Sequence, residues 1–532
     1  MVAPGEAAPP PAPQPSRRPV GLYAALLAVA LTVGWLFGYA ATAQQLARHY
    51  VRALGPMSLP FKAQTLTLQR AALATRGVLP IYGTSELYCC GQPYNAGTFY
   101  RTAPTGFSVF NVGYPVTEDL FWAQTFGALG SALRGKRIVV SDSPWFLGAQ
   151  GIPAPAYAHT FSPEIATVFT FDAPVPYALR AAVARRMLDF PTTLQALPLD
   201  RVALRNLARG GLAGRAAYLL MDPAGRLLAW TAQLQDAWRT VQTIDHFAHP
   251  AAAARRALHQ AQVGREPWWR WVLHLPLPAS QLQRKLVRTP APLQSQVPTL
   301  PRAVDWTATL RQATAQAKRA SPTNPFGVLT VQWRHCNDIS PVYGPWCTRA
   351  LALYRSGRSN HFGNVLPLPP GWVHGVVVCR CWTDLNLEFM TLRAVRARPF
   401  AWLQPLQGAL ADYTPWSARA RRVVYDRYLA IARADGIPAT TFQTHDTDPM
   451  FMDSFGHLSQ RGWVYADRLL TLFWHGQLGL IRQRLARGGS VGGLFPPALN
   501  CPKPAWCRGV ADVQPIPGSL AQLPTGMPRL RG

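Results

Sequence analysis

The chain has 532 residues, 48% of them hydrophobic and 15% charged, with 53 Lys and Arg against 25 Asp and Glu for a formal net charge of +28. Eighteen Trp, 17 Tyr and 22 Phe exclude a wholly disordered chain, and a single long uncharged apolar run excludes a multi-span membrane protein. Lysine occurs only at 62, 136, 285, 318 and 503, and the arginines are scattered rather than clustered, so no phosphate track is read and no nucleic acid is expected as a partner.

Residues 1–19 are rich in Pro and Ala, carry Arg17 and Arg18, and cannot pack a core; they read as a cytoplasmic tail. Residues 20–43 (VGLYAALLAVALTVGWLFGYAATA) hold no charge and are long enough to cross about 30 Å of hydrocarbon. Ala41-Thr42-Ala43 looks like a signal-peptide cleavage site, but the apolar run exceeds the usual length of about 7–15 residues, which predicts an uncleaved anchor. The Arg17-Arg18 pair favours a cytoplasmic N-terminus, which puts the bulk of the chain outside the cytoplasm.

Residues 44–76 read as a polar, arginine-containing connector, and 77–484 as the extracytoplasmic domain. Strands are predicted over 78–82, 107–112, 137–141, 372–379, 400–405 and 437–442. Helices are predicted over 118–133, 177–189, 199–212, 227–247, 384–396, 417–435 and 463–473. This alternation predicts an α/β fold with a parallel sheet and flanking helices. Residues 175–265 are almost wholly helical in pattern and read as a helical insertion; residues 280–370, rich in Pro and Trp and lacking a clear period, read as a disulfide-braced, loop-rich insertion. Residues 485–532 form a Gly/Pro-rich tail.

There are eight cysteines, at 89, 90, 336, 347, 379, 381, 501 and 507. An even count in an exported chain reads as disulfides, with Cys336–Cys347 and Cys501–Cys507 as the local pairings expected. A zinc site built from His335, Cys336, Cys347, Cys379 and Cys381 is the rival reading, and its spacings match no standard finger. No Rossmann fingerprint, phosphate-cradling loop or convincing metal cluster appears, so neither a cofactor nor a metal is expected.

The chemistry-bearing segments stand far apart in sequence. Gly83-Thr84-Ser85-Glu86 follows the first predicted strand directly, and open α/β sheets bind ligands at the carboxyl ends of their strands. Near the other end stands Asp453-Ser-Phe-Gly-His457-Leu-Ser-Gln-Arg-Gly-Trp463. A serine hydroxyl becomes a nucleophile when a histidine takes its proton and an acid orients the histidine, which makes Ser85, His457 and Asp453 the candidate catalytic residues. The competing reading is that Ser85 only caps the next helix.

Serine early and an Asp–His pair late is the order in SGNH hydrolases. More closely, the chain resembles the DltD family, membrane-anchored D-alanyl transfer proteins of teichoic-acid D-alanylation. The resemblance is carried by Gly83-Thr-Ser-Glu-Leu87, Ser143-Pro-Trp-Phe146, Asp384-Leu-Asn-Leu-Glu-Phe389 and the segment from Asp448 to Asp467, and covers roughly 78–180 and 380–475. It implies an SGNH-hydrolase-like sheet, Ser85 as nucleophile, His457 as base, and Gly113 contributing an N–H beside that of Ser85 to an oxyanion hole. It also implies a bacterial cytoplasmic (inner) membrane location, a membrane-bound O-acyltransferase of the DltB type as partner, and an envelope polymer or glycan as acceptor. The family's acid sits three residues before the histidine, where this chain has Ser454; Asp453 lies four before, Asp448 and Asp446 are alternatives, and a Ser–His dyad is a further one. Asn111 and Gln92 are the candidates for a third oxyanion donor. O-acetyl transfer to an exopolysaccharide or glycan, and a non-catalytic scaffold, are the other functions in view.

Overall fold

The computed structural model describes residues 20–57, 59, 61–88, 93–147, 154–248, 304–320, 372–373, 376–377, 380–411, 418–448, 450–453, 456–478 and 499–500. The chain starts with a long helix α1 (Val20–Leu54), followed by α2 (Phe61–Gln64), α3 (Leu66–Ala74), strand β1 (Val78–Gly83), α4 (Ser85–Tyr88), α5 (Ala96–Phe99) and β2 (Ser108–Gly113). Then come α6 (Asp119–Leu129), β3 (Arg137–Asp142), α7 (Ala154–Thr160), α8 (Pro163–Asp172), α9 (Tyr177–Met187), α10 (Pro198–Arg209) and α11 (Gly211–Ala248). The remainder holds α12 (Trp306–Ala320), β4 (Trp372–Val373), β5 (Val376–Val377), α13 (Cys381–Ala394), β6 (Arg398–Leu403), α14 (Gly408–Ala411), α15 (Ala418–Ala434), β7 (Ala439–Thr441), α16 (Gln460–Trp474) and β8 (Leu499–Asn500).

The main sheet has the order β2-β1-β3-β6-β7-β8, in which the first five strands are parallel and β8 is antiparallel to β7. Its strands are apolar and almost completely buried, as expected when helices cover both faces. Pro80 lies inside β1, where a missing N–H would cost a ladder bond. It sits where β1 pairs with β2 alone, and pairing with β3 begins at Ile81.

Alternation along the strands sends side chains to two cores. Tyr82, Phe110, Val112, Ile138, Val140 and Leu403 pack with α1, α3, α6 and α13, and the Tyr82 ring meets Trp122 and Phe126 edge-on at 5.4 and 4.9 Å. Leu79, Ile81, Val109, Val139, Phe400 and Trp402 pack on the other side against α12 and α16.

Two expectations change. Residues 44–54, read as the start of a polar connector, continue α1, and Leu46, Ala47, Tyr50, Val51 and Leu54 form a helical stripe buried in the first core. Lys62 then clasps the carboxyl end of α1. Its buried ammonium donates to the carbonyls of Leu54, Gly55 and Met57 at 2.9, 2.9 and 2.7 Å, satisfying oxygens that the helix end leaves bare. Residues 372–379 give no strand of the main sheet; β4 and β5 pair antiparallel with each other, Trp372 opposite Val377. Within the helical pattern of 175–265, the described residues to 248 form α9, α10 and α11. Gly210 and Gly211, both at φ +63°, reverse the chain between the last two, and α11 runs through Pro223.

The disulfide bracing expected of 280–370 rests on cysteines that lie outside the described residues. Cys381 alone among the cysteines is described, buried at the start of α13, and the pairings expected for Cys336, Cys347, Cys501 and Cys507 lie outside the described residues, as do Cys89 and Cys90.

Candidate active site

β1 ends at Gly83, and its β2 neighbour in register is Gly113. Both glycines have a steric reason. A Cβ at 83 would stand 2.3 Å from Glu86 Oε1, and one at 113 would stand 2.5 Å from Leu87 Cβ and 2.8 Å from the Thr84 carbonyl oxygen. The strand ends therefore close tightly around the turn that begins α4, and Ser85 is the first residue of that helix. Thr84 N–H donates to Glu86 Oε1 at 2.9 Å, and Asn95 Nδ2 donates to the Glu86 carbonyl at 3.3 Å, which pins the turn from both sides.

His457 arrives from the loop between β7 and α16. Met452 pairs with Leu458 in an antiparallel bridge, the Asp453 amide donates to the His457 carbonyl at 2.9 Å, and the Ser459 amide donates to the Phe451 carbonyl at 3.0 Å. Ser459 also caps α16, accepting from Arg461 and Gly462 N–H at 3.1 and 3.2 Å. At Gly462 a Cβ would stand 2.3 Å from the Phe451 carbonyl oxygen, so only glycine lets the helix approach this loop so closely.

Three hundred and seventy-two residues apart in sequence, Ser85 Oγ and His457 Nε2 stand 2.9 Å apart. Burial pushes the His457 imidazole down to about 4, so it is neutral, and able to accept a proton, across the ordinary pH range. Asp453 is buried in the same loop, its backbone bonded to that of His457. The alternative acids are committed elsewhere: Asp446 pairs with Arg421 at 2.8 Å and Asp448 with Arg461 at 2.9 Å.

The oxyanion candidates divide. Gly113 abuts the serine turn, while the Ser85 amide donates to the Thr84 hydroxyl in this conformation. Asn111 lies two residues back along β2, opposite Ile81, with Nδ2 3.5 Å from Asn95 Oδ1; it supports α5 rather than facing Ser85. Gln92 lies outside the described residues.

Residues that the sequence reading left without a role form a buried set of carboxyls that begins at Glu86, next to Ser85. Burial pushes the Glu86 carboxyl up to about 7, against the pull of the Thr84 and Glu86 N–H groups and Ser141, with Asp142 raising it further. Asp142, at the end of β3, accepts from the Tyr428 hydroxyl at 2.6 Å and is itself raised by burial to about 7. Asp119, Asp142 and Glu388 place carboxylate oxygens within 4.8 Å of one another, a spacing that a hard cation could also occupy. Burial raises all three, which favours the protonated forms. Asp384, one turn before Glu388, takes a two-bonded pair from Arg186, both contacts at 2.7 Å. A carboxylate one residue after the candidate nucleophile was the signal available in the sequence; the carboxyls of α6 and α13 meet it only through the fold.

A family model described as DltD protein matches residues 59–341 and 381–475, well over half the chain. "Protein DltD" of Bacillus subtilis (strain 168) is 22% identical over 449 residues, which is 84% of this chain and 93% of that protein. With a family model matched over more than half of its length, the chain belongs to the DltD family.

Proposed function

We propose that this protein is a membrane-anchored, extracytoplasmic O-acyltransferase, with esterase chemistry, that passes D-alanyl groups to an envelope polymer through an ester on Ser85. The 2.9 Å approach of Ser85 Oγ to His457 Nε2 carries the reading. An SGNH-type sequence of steps follows from it. Ser85 Oγ attacks the donor's carbonyl carbon while its proton passes to His457 Nε2. The tetrahedral intermediate collapses, the leaving group takes that proton, and acyl-Ser85 remains. A hydroxyl of the acceptor then gives its proton to His457 and attacks the ester, and Ser85 leaves with the proton restored. Asp453 orients the imidazole. Gly113 N–H and Ser85 N–H bind the oxyanion, the latter once rotation of the Thr84 side chain releases it, and such paired donors lower the barrier by several kcal/mol.

Family membership suggests D-alanine as the acyl group, a membrane-bound O-acyltransferase of the DltB type as the donor's carrier, and a teichoic acid or other glycan hydroxyl as acceptor. The apolar start of α1 supports single-pass anchoring in the cytoplasmic membrane: Tyr23, Leu26, Leu27, Val29, Leu31 and Phe37 are all exposed. A Ser85 that only caps α4 leaves the aligned His457 without a purpose, which disfavours a passive scaffold.

Mild-alkali release of ester-linked acids from envelopes of cells carrying wild-type or Ser85→Ala protein tests the proposal. Loss of D-alanine is expected. Loss of acetate alone would redirect the reading to glycan O-acetylation, and no change with folded protein present would refute catalysis by Ser85.

A further inference from the structure

Ser85 stands at the carboxyl ends of the strands; the amino ends gather positive charge. Residues 75–77, 134–137 and 396–398, at the starts of the neighbouring strands β1, β3 and β6, include Arg76, Arg134, Lys136, Arg137, Arg396 and Arg398 and no acid. Arg76, Lys136, Arg137 and Arg398 line a cavity of about 250 Å³, whose wall also includes Leu73, Val78 and Trp474. Among the described residues no carboxylate pairs with any of these four cations. The backbone around the cavity is tied together: Gly135 N–H donates to the Arg396 carbonyl at 2.9 Å, Arg398 N–H to the Lys136 carbonyl at 2.8 Å, and Arg52 Nη2 to the Arg76 carbonyl at 2.6 Å.

These charges are held close to one another at a cost. Arg137 and Arg398 are partners in register on β3 and β6, like charges side by side. Burial, and then repulsion from Arg398, pull the Arg137 guanidinium below its ordinary value. That guanidinium lies over the Trp474 ring at 5.8 Å, and the ring is itself stacked on Phe107 at 4.9 Å, so the side chain has a fixed support. Helix ends account for only part of the charge. α3, α6 and α13 finish close before these residues, and three carboxyl ends of about half a negative charge each offset about a quarter of six cations. Residues 479–532, which follow α16, hold seven cations and one acid, Asp512, so they add to the excess.

We propose that this cavity, at the amino ends of β1, β3 and β6, is a binding site for a phosphate monoester, separate from the Ser85 site. A carboxylate would satisfy one guanidinium and leave the others uncompensated. A phosphate monoester brings about two negative charges and three strong acceptor oxygens, enough for several donors at once, and guanidinium planes match its oxygens two at a time. The cavity is smaller than the about 300–1,000 Å³ of sites for drug-sized ligands, which suits one phosphate and a short carbon chain. Leu73, Val78 and Trp474 give that chain an apolar wall. The six residues of β1 separate this end from the serine turn by about 20 Å, so the site does not depend on acyl transfer at Ser85.

The test is isothermal titration calorimetry of the full-length protein in non-ionic detergent, with ethyl phosphate as the probe and butyrate as the carboxylate control. Saturable binding of ethyl phosphate and much weaker binding of butyrate are expected. Arg137→Gln/Arg398→Gln should weaken binding by about tenfold or more, while Arg205→Gln/Arg209→Gln, which removes the same charge from exposed positions of α10, should leave it unchanged. Circular dichroism checks the fold, and Arg76→Gln, outside every strand, repeats the test without touching the sheet. Equal losses in the two double variants would reduce the effect to diffuse attraction and overturn the proposal. So would butyrate binding as tightly as ethyl phosphate, or no saturable binding at millimolar ligand. Phosphatidate added to the micelles distinguishes the sources of the group: competition with ethyl phosphate, absent with phosphatidylcholine, supports the site with a lipid headgroup as its occupant, and undiminished titration supports it with a soluble phosphate monoester.

Discussion

Lowering the pH from 8 to 5.5 should hardly slow acylation of Ser85 by a small activated ester. An imidazole of ordinary pKa, 6.5, would be about nine-tenths protonated at pH 5.5, so a rate needing its neutral form would fall about tenfold. Burial holds His457 at about 4, where less than about a tenth is protonated at pH 5.5 and the fall in kcat/KM is correspondingly small. The assay is p-nitrophenyl acetate hydrolysis, or fluorophosphonate labelling of Ser85, by the full chain in detergent between pH 4.5 and 8, with circular dichroism following the fold. Glu86 complicates the profile: its carboxyl, raised to about 7 by burial, accepts from Thr84 N–H beside the nucleophile, so its ionisation can add an inflection near 7. Glu86→Gln keeps an acceptor oxygen for Thr84 and removes the titration. A limb near 6.5 that persists in Glu86→Gln would refute the claim that burial keeps His457 neutral.

Thermal stability should move the other way from many soluble enzymes. Glu86, Asp142 and Asp435 are raised to about 7, and Asp200, Asp236 and Asp384 to about 6, burial being the largest cause in each, so the folded state binds more protons than the unfolded chain between about pH 4 and 7. Their stabilisation is lost as pH rises through that window. His445 and His457, both held at about 4, oppose it with losses as pH falls, but the carboxyls outnumber them, and Tm by differential scanning fluorimetry should be higher at pH 5.5 than at pH 8; a higher value at pH 8 would be inconsistent. Gly113→Ala drives a Cβ into Leu87 and the Thr84 carbonyl and should cost about 1–3 kcal/mol of stability. By shifting the serine turn it should also slow labelling about a hundredfold, and an unchanged labelling rate would dissociate Gly113 from the site. Lys62→Met strands three carbonyls at the end of α1 and should lower stability by about 3 kcal/mol, read as a fall in Tm of several degrees; an unchanged Tm would mean that water replaces the ammonium.

The parts of the molecule that obey a local rule were the readable ones. The strands at 78, 108, 137 and 398 are short, apolar and bounded by Gly or Pro, and their predicted positions agree with the fold to within two residues or so. Ser85 and His457 stood out because a glycine-flanked serine after a strand and a late Asp–His loop each have a stereochemical reason. What stayed hidden depended on distant partners. Residues 44–54 carry arginine and histidine on one face and Leu46, Tyr50 and Leu54 on the other, and only the packing of α3 and α11 turns that stripe into core. Residues 372–379 have strand composition but pair with themselves. The buried carboxyls of Glu86, Asp142, Asp119 and Glu388 come from α4, β3, α6 and α13, and no spacing along the chain announces that these four elements converge.

The site's placement follows from how the anchor is joined to the sheet. α1 does not end after its exposed apolar stretch in a loose tether; it continues for several turns into the first core, where Tyr39, Ala43, Leu46, Tyr50 and Leu54 are buried. Its carboxyl end is then locked by Lys62, which lies 4.5 Å over the Phe110 ring of β2, and a Cβ at Gly55 would stand 2.6 Å from the Val109 carbonyl oxygen of the same strand. β2 in turn ends at Gly113, against the turn that holds Ser85. α1, Lys62, β2 and the Ser85 turn thus form one packed path with no long loop in it. A flexible linker would let the cleft sample many heights and directions above the bilayer; this path leaves it very few. If the proposed acyl transfer from a donor at the membrane is correct, restricting Ser85 in this way replaces a search in three dimensions with a meeting at one level, and lowers the entropic cost of bringing donor and serine together.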